Sequence, residues 1–149
     1  MKTPEKSFYT PINPQKYVGD PTKIIARSNL ERRFFKIIDT NSSFKKWSSE
    51  TFFVPYLSPI DGKMHRYFVD LFVEMSNGKK LIIEIKPDSQ TRQPTPPKNK
   101  TGKSAKRFLN EMATWQINEA KWIYAHEWAK ERGLEFMIIT EKNIPKSII

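Results

Sequence analysis

The sequence predicts an α/β fold in the order helix, strand, strand, strand, helix, strand, with a mixed sheet flanked by helices. Three observations carry that expectation. A hairpin of two apolar arms turns at Ser76-Asn77-Gly78. A long helical stretch is closed by Gly133 and leads directly into the apolar run Glu135 to Thr140. A shorter helix precedes both, with Leu30, Phe34, Ile37 and Ile38 on one stripe.

In chain order, residues 1–27 hold Pro4, Pro11, Pro14, Pro21 and Gly19 with little periodicity, and read as an extended basic arm carrying Lys16, Lys23 and Arg27. The first helix starts at Ser28 and ends near Asp39 or Thr40. A loop follows, then a strand from Thr51 to Leu57, with Pro55 placing it at an edge or a strand end. Pro59-Ile60-Asp61-Gly62 turns the chain into the hairpin, from about Met64 to Lys86. Residues 87–103, with prolines at 87, 94, 96 and 97, predict a flexible basic loop of the kind that is usually functional or disordered in a small domain. The long helix spans about Ser104 to Arg132, and the chain closes with a tail at 141–149. Residues 28–140 are thus the expected domain.

A chain of 149 residues is long enough for one ordinary core. Its net charge of +10 and pI near 9.8 point to a polyanionic partner, nucleic acid before membrane. There is no run long enough to cross a bilayer and no signal-peptide core. The absence of cysteine excludes disulfides and thiolate zinc sites. These absences leave the cytoplasm as the default compartment.

The register of the hairpin decides what it can do, because a one-residue slip moves every side chain to the other face. A two-residue loop, Asn77-Gly78, sets Asp70 against Ile85 and Leu71 against Glu84, mixing charge and oil on both faces. A three-residue loop with Gly78 left-handed suits the glycine, and pairs Glu74 with Lys80, Phe72 with Ile82 and Asp70 with Glu84. That register is expected. It leaves two carboxylates directly opposed, a destabilising arrangement unless a positive charge lies between them. A divalent cation with hard oxygen ligands suits that position, and Lys86 lies two residues on along the same face.

Asp70 followed at a distance by Glu84-Ile85-Lys86 resembles the signature of the PD-(D/E)xK nucleases, with Val69 standing where the family usually has proline. The bland alternative is an exposed hairpin face with scattered charges. The element order also resembles the restriction-endonuclease-like α-β-β-β-α-β core of that superfamily. The resemblance implies a metal-dependent nuclease. Asp70, Glu84 and the Ile85 backbone carbonyl would hold Mg2+, with Mn2+ as a substitute, and Lys86 would assist the attacking water. It also implies an acidic residue on the first helix, and Glu31 is the candidate. Its alternative is a capping box in Ser28-Asn29-Leu30-Glu31. Glu50 is the other candidate for the third carboxylate. Arg32 and Arg33 divide evenly between phosphate contact and solvated charge.

Arg92, Lys98, Lys100, Lys103, Lys106 and Arg107 form the expected contact with the DNA backbone. Gln116 lies on a stripe with Leu109, Met112, Ala113, Ala120 and Ile123, and satisfies a backbone group or reaches the site. Phe108, Trp115 and Trp122, spaced by seven, read as core rather than as base-stacking platforms. His65 and His126 do not suggest a metal pair; His65 reads as a solvated strand end.

A more specific resemblance runs over nearly the whole chain, to the head-completion nucleases of T-even-type tailed phages. It is carried by Lys16-Tyr17-Val18-Gly19-Asp20-Pro21, Arg27-Ser28-Asn29-Leu30-Glu31, Trp47-Ser48-Ser49-Glu50, Val54-Pro55-Tyr56, Arg66-Tyr67-Phe68-Val69-Asp70, Glu84-Ile85-Lys86-Pro87, Lys106-Arg107-Phe108-Leu109-Asn110-Glu111 and Asn118 to Trp122. The N-terminal half is also similar to the endonuclease subunit of some cut-and-paste transposases. The first resemblance implies action on DNA after genome packaging, in the host cytoplasm or the virion head. Portal or head-completion proteins would be partners, with no membrane and no nucleotide cofactor. Three other readings stay open: a DNA-binding head protein that kept the fold without catalysis, a transposon-type endonuclease, and an RNA-binding module.

Overall fold

Along residues 7–99 and 101–144, which the computed structural model describes, the chain forms β1 (Ser7–Phe8), β2 (Ile25–Ala26), α1 (Asn29–Thr40), β3 (Phe44–Ser49), β4 (Phe53–Leu57), β5 (Met64–Phe68), β6 (Leu71–Met75), β7 (Lys80–Ile85), α2 (Gly102–Glu131) and β8 (Glu135–Ile139). The candidate phosphate contact Lys100, the beginning of the expected arm (1–6) and the end of the tail (145–149) lie outside the described residues.

A central sheet runs in the order β3-β6-β7-β8, antiparallel except for the parallel pair β7 and β8. The parallel return needs a long crossover, and α2 supplies it. The restriction-endonuclease-like order is therefore present as α1, β3, β6, β7, α2, β8, with a mixed sheet between helices. The first core strand is not the one the sequence suggested. Phe44–Ser49, read as loop, takes that place, and Phe53–Leu57 pairs instead with Met64–Phe68 in a separate two-stranded ribbon. A register shift between Phe44 and Lys46 breaks the alternation of β3, so that Lys45 and Lys46 are both exposed between buried Phe44 and Trp47. A bulge of this kind hides a strand from period-two reading. The first hairpin arm, expected as one run, is broken at Val69-Asp70, because its two halves find different partners: β5 pairs with β4, and β6 with β3 and β7.

Odd-numbered residues of β6 and β7 (Leu71, Val73, Leu81, Ile83, Ile85) pack with Phe34, Phe35 and Ile38 of α1 and with Trp47. Even-numbered Phe72 and Ile82 meet Ala125 and Ala129 of α2, together with Val54, Tyr56 and Tyr67 of the ribbon. Each fully buried aliphatic or aromatic side chain contributes roughly 1.5–3 kcal/mol. A one-residue slip would turn Glu74, Lys80 and Glu84 toward the α1 layer, so packing and turn chemistry agree on the register.

The segment before α1 is fastened to the core. Tyr9, Ile24 and Ala26 are buried beside α1 and Trp47. Asp39, wholly buried, accepts from the Tyr9 hydroxyl (2.8 Å) and from the backbone N–H groups of Ile12 (2.6 Å) and Asn13 (2.9 Å). The Lys16 ammonium donates to the carbonyls of Ile38 (2.7 Å), Asp39 (3.0 Å) and Asn41 (3.0 Å), satisfying the free end of α1.

The apolar stripe expected on α2 is rotated. Leu109 and Ile123 are 66% and 59% exposed, and Gln116 is exposed with them. The helix packs on the core only from Ile117 onward, through Ile117, Ala120, Ala125, Trp128 and Ala129. Gly133, at φ +72°, ends it, with Leu134 N–H returning to the Ala129 carbonyl (2.9 Å).

Candidate active site

The hairpin turn places the acids. Gly78 takes φ +93°, Met75 N–H donates to the Lys79 carbonyl (2.7 Å), and Glu74 pairs with Lys80 and Phe72 with Ile82. Continued two residues, that register sets Asp70 opposite Glu84. Asp70 Oδ2 accepts from the Ile85 N–H at 2.7 Å. Glu84, only 6% exposed, is held at both oxygens: the Tyr67 hydroxyl donates to Oε1 at 2.6 Å, and Lys86 Nζ lies 3.1 Å from Oε2. Burial raises the Asp70 carboxyl well above the ordinary range, and the charges of Glu84 and Glu31 add to the rise against the opposing Ile85 N–H and Lys86. Burial, then the Glu84 charge, pushes the Tyr67 phenol far up, so it stays a donor.

Two more carboxylates converge from one side. Glu31 sits in the first turn of α1, and its N–H donates to Ser28 Oγ (3.1 Å), half of the expected capping box. The reciprocal half is replaced: Glu31 Oε1 accepts from the Arg27 N–H (3.0 Å), one residue before the cap. Burial raises its pKa, and the charges of Glu50 and Glu84 act in the same sense. Glu50 adopts a left-handed backbone, φ +53°, which costs a non-glycine residue strain. Its N–H donates to the Asp70 carbonyl (3.0 Å), and the Arg27 guanidinium grips its two oxygens at 2.7 and 2.9 Å.

Lys121 of α2 joins the cluster without having been singled out in the sequence. Burial lowers its pKa and the Lys86 charge pushes the same way, while Glu84 and Asp70 oppose. Its ammonium lies 5.5 Å from the Tyr67 ring centroid and 5.9 Å from that of Tyr56. The available signal was a lysine four residues from both Ile117 and Ala125, on the buried face of the helix. Gln116, on the exposed face, does not point into the core.

The donor set suits a hard divalent cation: two opposed carboxylates, one of them disfavoured as an anion by burial and by its neighbour's charge. Among the described residues no three His, Cys, Asp or Glu side chains form a closed metal cage, since Glu31 and Glu50 are turned to Arg27. His65 bonds Asp61 (2.8 Å) at the far end of the ribbon, and His126 is exposed on α2.

The basic candidates lie along the segment after β7 and the start of α2. Arg92 is exposed and paired with Asp88 (2.7 Å); Lys98, Lys103, Lys106 and Arg107 are exposed. Between the 89–95 segment and α2 opens a cleft of about 750 Å³, with Arg92, Arg107 and Trp115 in its walls. Trp122 packs against the α2-side core, as expected of that stripe, whereas Trp115 and Phe108 line clefts.

Two similarities to known proteins bear on this geometry. Residues 41–141 match the family model of the TnsA-like endonuclease N-terminal domain, a span that contains Glu50, Asp70, Glu84, Lys86 and Lys121. The chain is 43% identical over 136 residues to the head completion nuclease of Enterobacteria phage T4, an overlap of 91% of each chain. No helix among the described residues is long and apolar enough to cross a membrane.

Proposed function

Because the chain belongs to the TnsA-like endonuclease N-terminal family, we propose that it is a metal-dependent DNA endonuclease acting in phage head completion after genome packaging. The observation that carries the chemistry is the opposed pair Asp70 and Glu84, with Lys86 3.1 Å from Glu84. Asp70, Glu84 and the Ile85 carbonyl would hold Mg2+ or Mn2+, with Glu31, through the oxygen not engaged by the Arg27 N–H, as the third carboxylate. Glu31 is preferred to Glu50 because both oxygens of Glu50 are engaged by Arg27, whereas one Glu31 oxygen accepts a single N–H. When bound, the cation supplies charge neutralisation at the phosphate oxygens.

The chain's own groups do the rest. Tyr67 fixes the orientation of Glu84. Lys86 orients the attacking water and stabilises charge developing on the phosphoryl oxygens. Lys121 adds positive charge near Glu84 and Asp70. Arg92, Lys98, Lys100, Lys103, Lys106 and Arg107 hold flanking phosphates. The identity with the phage T4 protein supports the assignment to head completion; portal or head-completion proteins would be the partners, in the infected host or the virion head.

The test is nicking of supercoiled plasmid with Mg2+, Mn2+ or chelator, by wild type, Asp70→Ala and Lys86→Ala. Metal-dependent nicking that falls by about 100-fold or more in both variants is expected, the usual scale for losing a charge-stabilising group. Nicking that persists in both sinks the site. Binding without cleavage by wild type turns the reading to a DNA-binding head protein that kept the fold.

A further inference from the structure

The cleft between the 89–95 segment and α2 shares Arg92 and Arg107 with the basic candidates, but apart from these and Glu111 its lining is uncharged. Its walls begin at Ser89, three residues beyond Lys86, and at Asn118, three residues before Lys121. On α2 that is about 4.5 Å of axial rise, so one wall of the cleft comes within a helical turn of Lys121. Beyond Arg92, Arg107 and Glu111, the lining is amide, hydroxyl and indole, with Gln90, Asn110, Asn118 and Trp115. Arg92 is tied to Asp88, and the Glu111 carboxylate repels a phosphate. Amides and a carboxylate instead complement the edges of bases, where asparagine and glutamine pair with adenine and an acid accepts from the cytosine amine. An indole stacks on any base, but only on one whose face is free of its neighbours.

We infer that this cleft receives an unstacked nucleotide flanking the scissile phosphate, so that the preferred substrate is DNA with unpaired bases at the cut: single-stranded ends, gaps or flaps. Trp115 is the stacking platform, and Gln90, Asn110 and Asn118 read the base edge. The inference rests on the endonuclease reading above and specifies the form of its substrate.

The test reads binding, with Ca2+ in place of Mg2+, to an oligonucleotide carrying 2-aminopurine. It is presented as a single strand, in a gapped duplex and in a blunt duplex of the same sequence. Quenching of 2-aminopurine is expected in the first two, with affinity about tenfold or more above that for the blunt duplex. Trp115→Ala should cost about tenfold on unpaired DNA, the usual scale of one base–aromatic stack. It should leave the blunt duplex within about twofold, and Trp115→Phe should retain most of the preference. Equal losses on paired and unpaired DNA, or no preference in wild type, overturn the inference and make the cleft part of the phosphate track. Should Trp115→Ala fail to fold, position-dependent quenching in wild type decides by itself. A protein that discriminates unpaired DNA but, with Mg2+, cuts neither plasmid nor the single-stranded and gapped substrates refutes the endonuclease reading alone. One that nicks without discriminating refutes the cleft assignment alone.

Discussion

Replacing Tyr67 by phenylalanine removes one oxygen and leaves the ring, which is 3% exposed and packed among Val54, Tyr56, Val69 and Ile82. The lost oxygen makes a 2.6 Å bond to a carboxylate that is itself 6% exposed. A hydrogen bond to a charged group contributes about 1.5–3 kcal/mol net. Its short O–H···O geometry belongs to the strong class. With 1.4 kcal/mol per decade, complete coupling to the active complex gives about 10- to 150-fold. Partners that orient metal-ligating carboxylates typically cost 10- to 100-fold in affinity or activity when removed, which brackets the same range. Tyr67→Phe is therefore expected to raise the Mg2+ concentration for half-maximal plasmid nicking, or to lower the rate, by 10- to 100-fold. Tyr124→Phe, on the exposed side of α2, serves as the control and should change neither by more than about twofold. A Tyr67→Phe protein with wild-type metal dependence and rate would refute the view that Tyr67 holds Glu84 in working geometry.

Two further outcomes concern stability. Asp39→Ala strips the partners from the Tyr9 hydroxyl and the Ile12 and Asn13 N–H groups around a buried site, and should cost about 3 kcal/mol or more in urea unfolding; a cost below about 1 kcal/mol would show that the segment before α1 is not anchored there. In chelator, Asp70→Asn should stabilise the protein at neutral pH, because the folded-state pKa of Asp70 is raised by burial and by Glu84. A carboxyl raised on folding favours the fold below its unfolded pKa, about 3.9, and loses that contribution as pH rises through its folded value. Relief of an opposed like-charge pair is worth up to about 1 kcal/mol. For a chain of this size that is a Tm gain of about 2–4 °C at pH 7.5, narrowing toward pH 4.5. Added Mg2+ should stabilise wild type and not Asp70→Asn, and a calorimetric scan showing the reverse order would count against the opposed pair as the cation site.

Short-range signals along the chain specify the turn, the hairpin register and the helix ends. The Ser76-Asn77-Gly78 turn requires a left-handed residue, and Gly78 at φ +93° provides it; the hairpin register and the opposition of Asp70 to Glu84 follow within a window of about fifteen residues. Ser28 and Gly133 marked helix ends by the chemistry of single residues. The resemblance of motifs along the chain pointed to the endonuclease family that the comparisons report.

Which strand opens the core depends on pairing between distant segments. The bulged, lysine-bearing Phe44–Ser49 has no clean period, and its place comes from pairing with β6 about 27 residues later. Likewise Glu31, Tyr67 and Lys121 reach Asp70 and Glu84 from three separate elements, and no short window contains them. The face α2 turns inward depends on where the sheet ends, which is why Ile117 and Ala125 are covered while Leu109 and Ile123 are not. Periodicity shows that a helix has a stripe; the partner surface chooses which residues of it are buried.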